Sequence, residues 1–271
     1  MKVRLIISAV LLPLLLIVLL FLPTVVTAVV VAAASALAAY ELLHATGLVK
    51  SLRLVIYSML MAFLSILWCH FGMEYAVAVL GILIFAALLF GELLISHGKL
   101  PFDQVALCFV AGIIIPLFLG ALVRIHGLGY GRFYILLPFL LAFTADSGAY
   151  FVGCYLGKHK LAPNISPKKT VEGAIGGVAA AVIGMLIYCL VLDLAFDFTA
   201  NYLYAVSYGI VGSLASVFGD LTFSVVKRQT GIKDYGNLIP GHGGILDRFD
   251  SMVIVAPLTE ILLTFLPVVM K

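Results

Sequence analysis

The chain has 271 residues, of which 64% are hydrophobic and 11% charged, and its mean hydropathy is +1.22. A soluble core of this size could not bury so many apolar side chains, so the composition excludes a soluble globular enzyme and predicts an integral membrane protein. The formal net charge of +3 is small and gives no sign of a nucleic-acid partner. The four cysteines have no C-x-x-C spacing and are expected to be buried hydrophobes.

Apolar runs of about 18 or more residues predict transmembrane helices along the whole chain. The first follows a short basic head and is interpreted as an uncleaved helix, because its apolar run is longer than the ~7–15 residues of a signal peptide. The nine predicted spans are 4–21, 24–43, 54–71, 75–95, 104–123, 133–153, 173–193, 202–226 and 248–269. The predicted fold is an all-α polytopic bundle in a single membrane domain, residues 1–271, with N-terminal helices in 1–130 and a catalytic region in 131–271.

The basic residues give the orientation of this bundle. With nine spans, Arg124, Arg132 and Lys271 fall on one side of the membrane, and the other thirteen of the 16 lysines and arginines fall on the opposite side. The excess marks the cytoplasmic side, which predicts a cytoplasmic N-terminus and an external C-terminus. The loops 154–172 and 227–247 are then cytoplasmic, where nucleoside triphosphates are found. The predicted location is the inner cell membrane.

The eighth predicted span carries one polar face. Ser213, Ser216, Asp220, Ser224 and Lys227 follow one another at steps of three, four, four and three, so they share one side of a helix. Such a face is expected to turn away from lipid. A carboxylate within an apolar segment predicts a site with a partner cation or metal.

The loop after this span combines glycines, bases and acids. Gly236, Gly241, Gly243 and Gly244 permit close backbone approach to an anion, and a helix N-terminus follows them, which favours phosphate. Bases and acids interleave with these glycines: Lys227, Arg228, Lys233, Asp247, Arg248 and Asp250. The spacing of Asp247 and Asp250 puts both carboxylates on one helix face, where they could hold Mg²⁺.

A second cluster begins at Asp146, which follows a long apolar run and opens D-S-G-A-Y. The loop behind it is basic, with Lys158, Lys160, Lys168 and Lys169. From composition alone, a cytoplasmic loop that merely obeys the orientation rule is the favoured interpretation.

The stretch from Ser224 to Asp250, S-V-V-K-R, then K-D-Y-G, then L-I-P-G-H-G-G-I-L-D-R-F-D, resembles the signature of the phosphatidate cytidylyltransferase (CDP-diacylglycerol synthase) family. The stretch from Ala145 to Gly173 is similar to bacterial members of that family. Together the two stretches cover roughly a fifth of the chain. Two positions depart from the pattern of that family: Phe223 stands where many members carry an acid, and Val171 stands where many carry tryptophan.

The resemblance implies that an oxygen of the phosphatidate phosphate attacks the α-phosphorus of CTP, giving CDP-diacylglycerol and pyrophosphate. It implies a Mg²⁺ site with Asp220 and Asp247 as first ligands and Asp250 and Asp146 next, and it leaves a second metal ion open. The expected contacts to the phosphates come from bases and small polar groups of the two loops: Lys227, Arg228, Lys233, Arg248, Lys168, Lys169, Ser224, His242, Gly243 and Gly244. The expected partners are CTP, phosphatidate and membrane lipid, and a homodimer is left open.

Two other functions are weighed against this one. A CTP-dependent lipid kinase would transfer the γ-phosphoryl group to a lipid alcohol, and the full signature argues against it. A secondary transporter predicts repeated halves with interrupted helices, and the sequence shows no such repeat. The remaining acids and histidines near span ends are expected to be solvated: Glu41, His44, Glu74, Glu92, His97 and Asp103.

Overall fold

The computed structural model describes residues 13–72, 74–238 and 243–270. Helices dominate it, and its strands are short. Residues 13–21 are the described part of α1. The other elements are α2 (Thr24–Tyr40), a π-helical turn (Glu41–Ala45), α3 (Leu52–Phe71), α4 (Tyr75–Ile95), α5 (Phe102–Phe109), a second π-helical turn (Val110–Ile114), α6 (Ile115–His126), α7 (Gly131–Tyr134), α8 (Leu136–Leu156), β1 (Lys160–Ala162), β2 (Ser166–Thr170), α9 (Val171–Phe196), β3 (Thr199–Ala200), α10 (Tyr202–Gln229), α11 (Leu246–Phe249), α12 (Met252–Phe265) and β4 (Val269–Met270).

Seven helical segments among the described residues are long and apolar enough to cross a membrane: Thr24–Ala45, Leu52–Phe71, Tyr75–Ile95, Phe102–His126, Gly131–Leu156, Val171–Phe196 and Tyr202–Gln229. The prediction of a helical, multi-pass membrane protein is confirmed. The predicted number of nine is not, because the beginning of the first span, 4–12, lies outside the described residues and the last span differs from its prediction. The orientation of the termini stays a prediction.

The last predicted span, 248–269, is not one continuous helix. α11 ends at Phe249, and α12 has only 14 residues. The carboxylate of Asp250 accepts the N–H of Ser251 at 2.7 Å, which interrupts the backbone hydrogen bonds between the two helices. After α12 the chain forms β4, which pairs antiparallel with β3.

The chain divides into two compact units. The first, which we call the loop unit, comprises Met1–Arg132 and Gln229–Phe249. The second, the hairpin unit, comprises Phe133–Arg228 and Asp250–Lys271. Nothing in the sequence indicates that Gln229–Phe249 groups with the N-terminal helices rather than with the helices on either side of it.

In the loop unit, α2 packs against α3 and α6. It does so with small side chains, since Ala28, Ala32 and Ala38 are fully buried. A polar contact also links α2 to α6, because His126 Nδ1 lies 3.0 Å from Thr27 Oγ1. The π-helical turn at the end of α2 begins at Glu41.

In the hairpin unit, α8 and α9 approach each other closely along their glycines. A Cβ atom at Gly148 would lie 2.7 Å from the carbonyl oxygen of Gly176, and one at Gly177 would lie 2.8 Å from that of Ala145. No side chain fits there, so the two backbones are in direct contact. The core of the unit is formed by side chains of α8, α9, α10, α12 and the chain around β3 and β4, with Tyr208 fully buried at its centre.

The predicted cytoplasmic loop 154–172 contains the antiparallel hairpin β1–β2. Its end is tied to α9, because the hydroxyl of Thr170 caps that helix by accepting the N–H of Gly173 at 3.1 Å. The carboxylate of Glu172 accepts the backbone N–H groups of Lys158 and His159, each at 3.1 Å, and its Oε1 lies 2.5 Å from His159 Nδ1. The hairpin is therefore fastened at both of its ends.

Candidate functional site

The polar face predicted on α10 turns inward. Ser213 and Ser216 are fully buried and Ser224 nearly so, whereas Leu214 and Phe218, on the other side of the same helix, are exposed. The prediction that this face is hidden from lipid is confirmed. Phe223, which stands where many members of the resembled family carry an acid, is buried as well.

Two lysine–aspartate pairs lie along this helix within the hairpin unit. Lys169 Nζ, on β2, forms an ion pair with Asp220 Oδ2. Lys227 Nζ, at the end of α10, lies 3.8 Å from Asp250 Oδ2, and both of these side chains are about nine-tenths buried. Buried charges require partners of this kind, because an unpaired ion away from water is costly.

Gly219 brings the two pairs close together. A Cβ atom there would lie 2.8 Å from the carbonyl oxygen of Asp250 and 3.0 Å from Ser251 Cα, so α10 passes directly against the chain before α12.

Asp250 lies outside the seven candidate spans. Burial, and next the carboxylate of Asp220, raises the pKa of Asp250, while the Lys227 ammonium opposes the rise.

Asp146 lies on α8, and Ser216 Oγ donates to its Oδ1 at 3.4 Å. The negative charges of Asp146 and Asp220 both act on the carboxylate of Asp250. Three of the four predicted metal ligands therefore belong to one neighbourhood of the hairpin unit. Asp247, the fourth, belongs to the loop unit.

These carboxylates fit Mg²⁺ in their chemistry but do not form a cage of protein ligands. Among the described residues, no group of three or more His, Cys, Asp or Glu side chains is arranged to hold a metal ion. Mg²⁺ in phosphate-transfer sites usually takes one or two carboxylates and completes its shell with water and substrate phosphates. A neighbouring pair such as Asp220 and Asp250 meets that smaller requirement.

The remaining predicted bases of the hairpin unit differ in their surroundings. Arg228 Nε donates to the carbonyl oxygen of Ile165, in the turn between β1 and β2, at 3.0 Å. Lys168 is exposed beside its paired neighbour Lys169. The sequence did not predict the hairpin, although its Pro163-Asn164 dipeptide between two short segments is a turn signal.

In the loop unit, the carboxylate of Asp247 organises the backbone around it. Its Oδ2 accepts the N–H of Tyr235 at 2.7 Å and that of Gly244 at 2.9 Å. Gly243, immediately before this point, has φ +85°, a conformation that favours glycine. Lys233 and Arg248 are exposed, and His242 lies outside the described residues. The roles of Gly243 and Gly244 against pyrophosphate stay predictions.

One acid of the loop unit was misjudged from the sequence. Glu41 was expected to be solvated at a span end, but it is only 4% exposed. Its two carboxylate oxygens accept the N–H groups of Ile245 at 2.9 Å and Leu246 at 2.7 Å. The signal that could have identified it is its position inside an apolar run, where an ionisable residue needs a partner.

The chain matches a known protein family over nearly its whole length. The cytidylyltransferase family matches residues 2–266. The chain belongs to this family. The resemblance predicted from the two motifs is confirmed, and the family extends over the apolar helices as well as the motif regions.

Individual relatives are similar over a smaller part. The chain is 43% identical to the phosphatidate cytidylyltransferase of Bacillus subtilis (strain 168) over 163 residues, 60% of this chain and 59% of that protein. It is 40% identical to the phosphatidate cytidylyltransferase of Staphylococcus saprophyticus over 169 residues, 62% of this chain and 63% of that protein. For that of Staphylococcus epidermidis (strain ATCC 12228), the values are 36% over 183 residues, 68% of each chain. The first two alignments thus span less than two thirds of the relatives' length.

Proposed function

We propose that this protein transfers the cytidylyl group of CTP to phosphatidate. A phosphate oxygen of phosphatidate forms a bond to the α-phosphorus of CTP, and the bond from that phosphorus to the bridging oxygen of the β-phosphate breaks. The products are CDP-diacylglycerol and pyrophosphate. The attacking oxygen is already anionic near neutral pH, so the site has to neutralise and align two phosphate groups rather than remove a proton.

The observation that carries the proposal is the pair of neighbouring contacts Lys169–Asp220 and Lys227–Asp250 in a member of this family. Lysine ammonium groups bind phosphate oxygens as point charges. Each lysine is held by a carboxylate at a position where incoming phosphates would compete for it. The aspartates therefore hold the lysine ammonium groups in place and balance their positive charge before substrate binds.

The other bases act as additional phosphate contacts in this proposal. Arg228 is held by the β1–β2 turn through Ile165, while Lys168, Lys233 and Arg248 are exposed and can reach anions in water. The proposal retains the predicted substrate contacts from small polar groups and glycines: Ser224, His242, Gly243 and Gly244. The arginine side chains suit bidentate contacts to phosphate.

We propose Asp220 and Asp250 as the residues that would hold Mg²⁺, with Asp146 beside them. Asp247 stays a predicted ligand, as does a second ion. When bound, the metal neutralises phosphate charge and fixes the orientation of the triphosphate. Lys169 and Lys227, which pair with these carboxylates, would contact the phosphates beside the metal site.

We further propose that the site faces the cytoplasm at the inner cell membrane. The distribution of basic residues supports this orientation, because the motif loops carry most of them. Phosphatidate keeps its acyl chains in the bilayer, so its phosphate can reach these loops only at a membrane surface. The homodimer left open above is tested by cross-linking the purified protein in lipid nanodiscs.

The decisive assay uses the purified full chain in vesicles that contain both phosphatidate and diacylglycerol, with Mg²⁺ and CTP labelled either at the α- or at the γ-phosphate. The proposal expects α-label in the lipid fraction and one pyrophosphate released per lipid formed. Transfer of γ-label to diacylglycerol would instead identify a lipid kinase. Absence of both, with the protein folded, would contradict the proposed function.

A further inference from the structure

The carboxylate of Glu41 lies within the loop unit between two parts of the glycine loop, which we define as the described residues 230–238 and 243–245. It accepts hydrogen bonds from the N–H groups of Ile245 and Leu246, at the start of α11. On its other sides it meets two glycines. A Cβ atom at Gly236 would lie 2.7 Å from Glu41 Oε1, and one at Gly244 would overlap the same carboxylate.

The fit is mutual, because the loop has glycine at the two positions where any larger residue would displace the carboxylate. Gly236 and Gly244 also approach each other, since a Cβ on Gly236 would lie 3.3 Å from Gly244 Cα. One side chain from a transmembrane helix therefore occupies the space between two segments of the loop. Two consecutive N–H groups are bound by Glu41, and the preceding one, from Gly244, by Asp247.

The helical geometry at the end of α2 changes at Glu41. α2 ends in a π-helical turn that begins at Glu41 itself. Such turns insert one extra residue and are often found at functional sites. The side chain is 4% exposed although it is an acid, so its burial has to be supported by the backbone groups that it binds.

We propose that Glu41 is a positioning residue for the proposed cytidylyl transfer: it fixes the backbone of residues 244–246 and, through them, the place of Asp247 and Arg248. It touches no substrate. The kinetic part of this inference rests on the proposed function, whereas its structural part does not.

The test compares Glu41→Gln, Glu41→Ala and the wild-type chain in nanodiscs. Glutamine has nearly the shape of glutamate but only one acceptor oxygen, so one of the two N–H groups loses its partner. Hydrogen exchange at the amides of residues 244–246 is expected to speed up about tenfold or more in both variants. The value of kcat/KM for CTP, per folded protein, is expected to fall about 10- to 100-fold.

Ser35→Ala is the matched control, because Ser35 is fully buried in the same helix and its hydroxyl has no hydrogen-bond partner among the described residues. It is expected to leave the exchange at 244–246 and the kinetics unchanged. A merely structural role for Glu41 would lower the melting temperature and leave kcat/KM per folded protein at the wild-type value. That outcome, or wild-type exchange in Glu41→Gln, overturns the proposal.

A double-mutant cycle adds a second measurement. Gly236→Ala places a Cβ atom 2.7 Å from Glu41 Oε1. It should displace the carboxylate and reproduce the effect of Glu41→Ala, so the double variant should be no worse than the more damaging single variant. Simple addition of the two effects would contradict the inference. If the wild-type chain shows no cytidylyl transfer, the proposed function fails while the exchange measurements still decide the role of Glu41.

Discussion

Lys169, on β2, forms an ion pair with Asp220, on α10, and so links the β1–β2 hairpin to the polar face of a transmembrane helix. Each side chain is 26% exposed, which leaves the pair partly shielded from water. Partly buried pairs are screened less by salt than exposed ones. The hairpin is therefore held to the helix by charge as well as by its hydrogen bonds.

The neighbouring lysines of β2 provide a matched comparison. Lys169→Ala is expected to lower kcat/KM about 10- to 100-fold, because it removes a charge-assisted contact from the site. Lys168→Ala removes the same charge from an exposed position and is expected to have a much smaller effect. The measurement is cytidylyl transfer at fixed Mg²⁺, with thermal unfolding of each variant in detergent. Equal losses in both variants would show that only the overall charge of the hairpin matters.

The two paired aspartates are expected to be essential for metal-dependent transfer. Asp220→Asn and Asp250→Asn keep the side-chain shape but remove the negative charge, so activity should fall by at least about 100-fold and the Mg²⁺ concentration for half-maximal rate should rise. Asp103→Asn, at the exposed start of α5, is the control and should behave like the wild type. Near-normal turnover by Asp220→Asn would refute its assignment as a metal ligand.

Asp247 is tested by two substitutions that separate its two possible roles. Asp247→Asn can still present one oxygen to the N–H groups of Tyr235 and Gly244, so it should preserve the loop while losing charge. Asp247→Ala leaves both donors unsatisfied, at a cost of about 1–3 kcal/mol for each buried group. A metal ligand predicts that both variants are inactive and that only Asp247→Ala is less stable. An active, stable Asp247→Asn would leave Asp247 with the loop role alone.

Gly219 is expected to be intolerant of any side chain. Gly219→Ala places a methyl group 2.8 Å from the Asp250 carbonyl oxygen, which should push α10 away from the chain before α12 and destabilise the protein by about 1–3 kcal/mol. Gly91→Ala is the control, since nothing lies within 4 Å of a Cβ there. Alanine is a better helix former, so that variant should be more stable by about 0.5–1 kcal/mol. Thermal inactivation in detergent distinguishes the two.

The sequence predicts the membrane class, the positions of most spans and the inward face of α10 because these depend on long apolar runs and on helical periodicity. Both signals are local and strong. The break before α12 is different, because it depends on a single carboxylate turning back onto the next N–H group. Such a local hydrogen bond leaves the hydrophobic pattern unchanged, so the pattern predicts an uninterrupted helix.

The site is only partly predictable for a similar reason. Spacing along α10 brings Asp220 and Lys227 to one face. It cannot indicate that Asp220 pairs with Lys169 and that Lys227 pairs with Asp250. Glu41 and Ile245 are separated by 204 positions in the chain and meet only in the folded protein. Contacts of this kind are set by tertiary packing, which a single sequence does not reveal.

The backbone contact between α8 and α9 limits how this protein can vary. Gly148 on one helix and Gly176 and Gly177 on the other have no room for a Cβ atom. Outward-facing positions such as Ile183 and Ile187 are free to exchange among apolar residues. A saturation library of α9 should therefore yield a striped tolerance map, in which narrow intolerant rows alternate with broad permissive ones along a single helix.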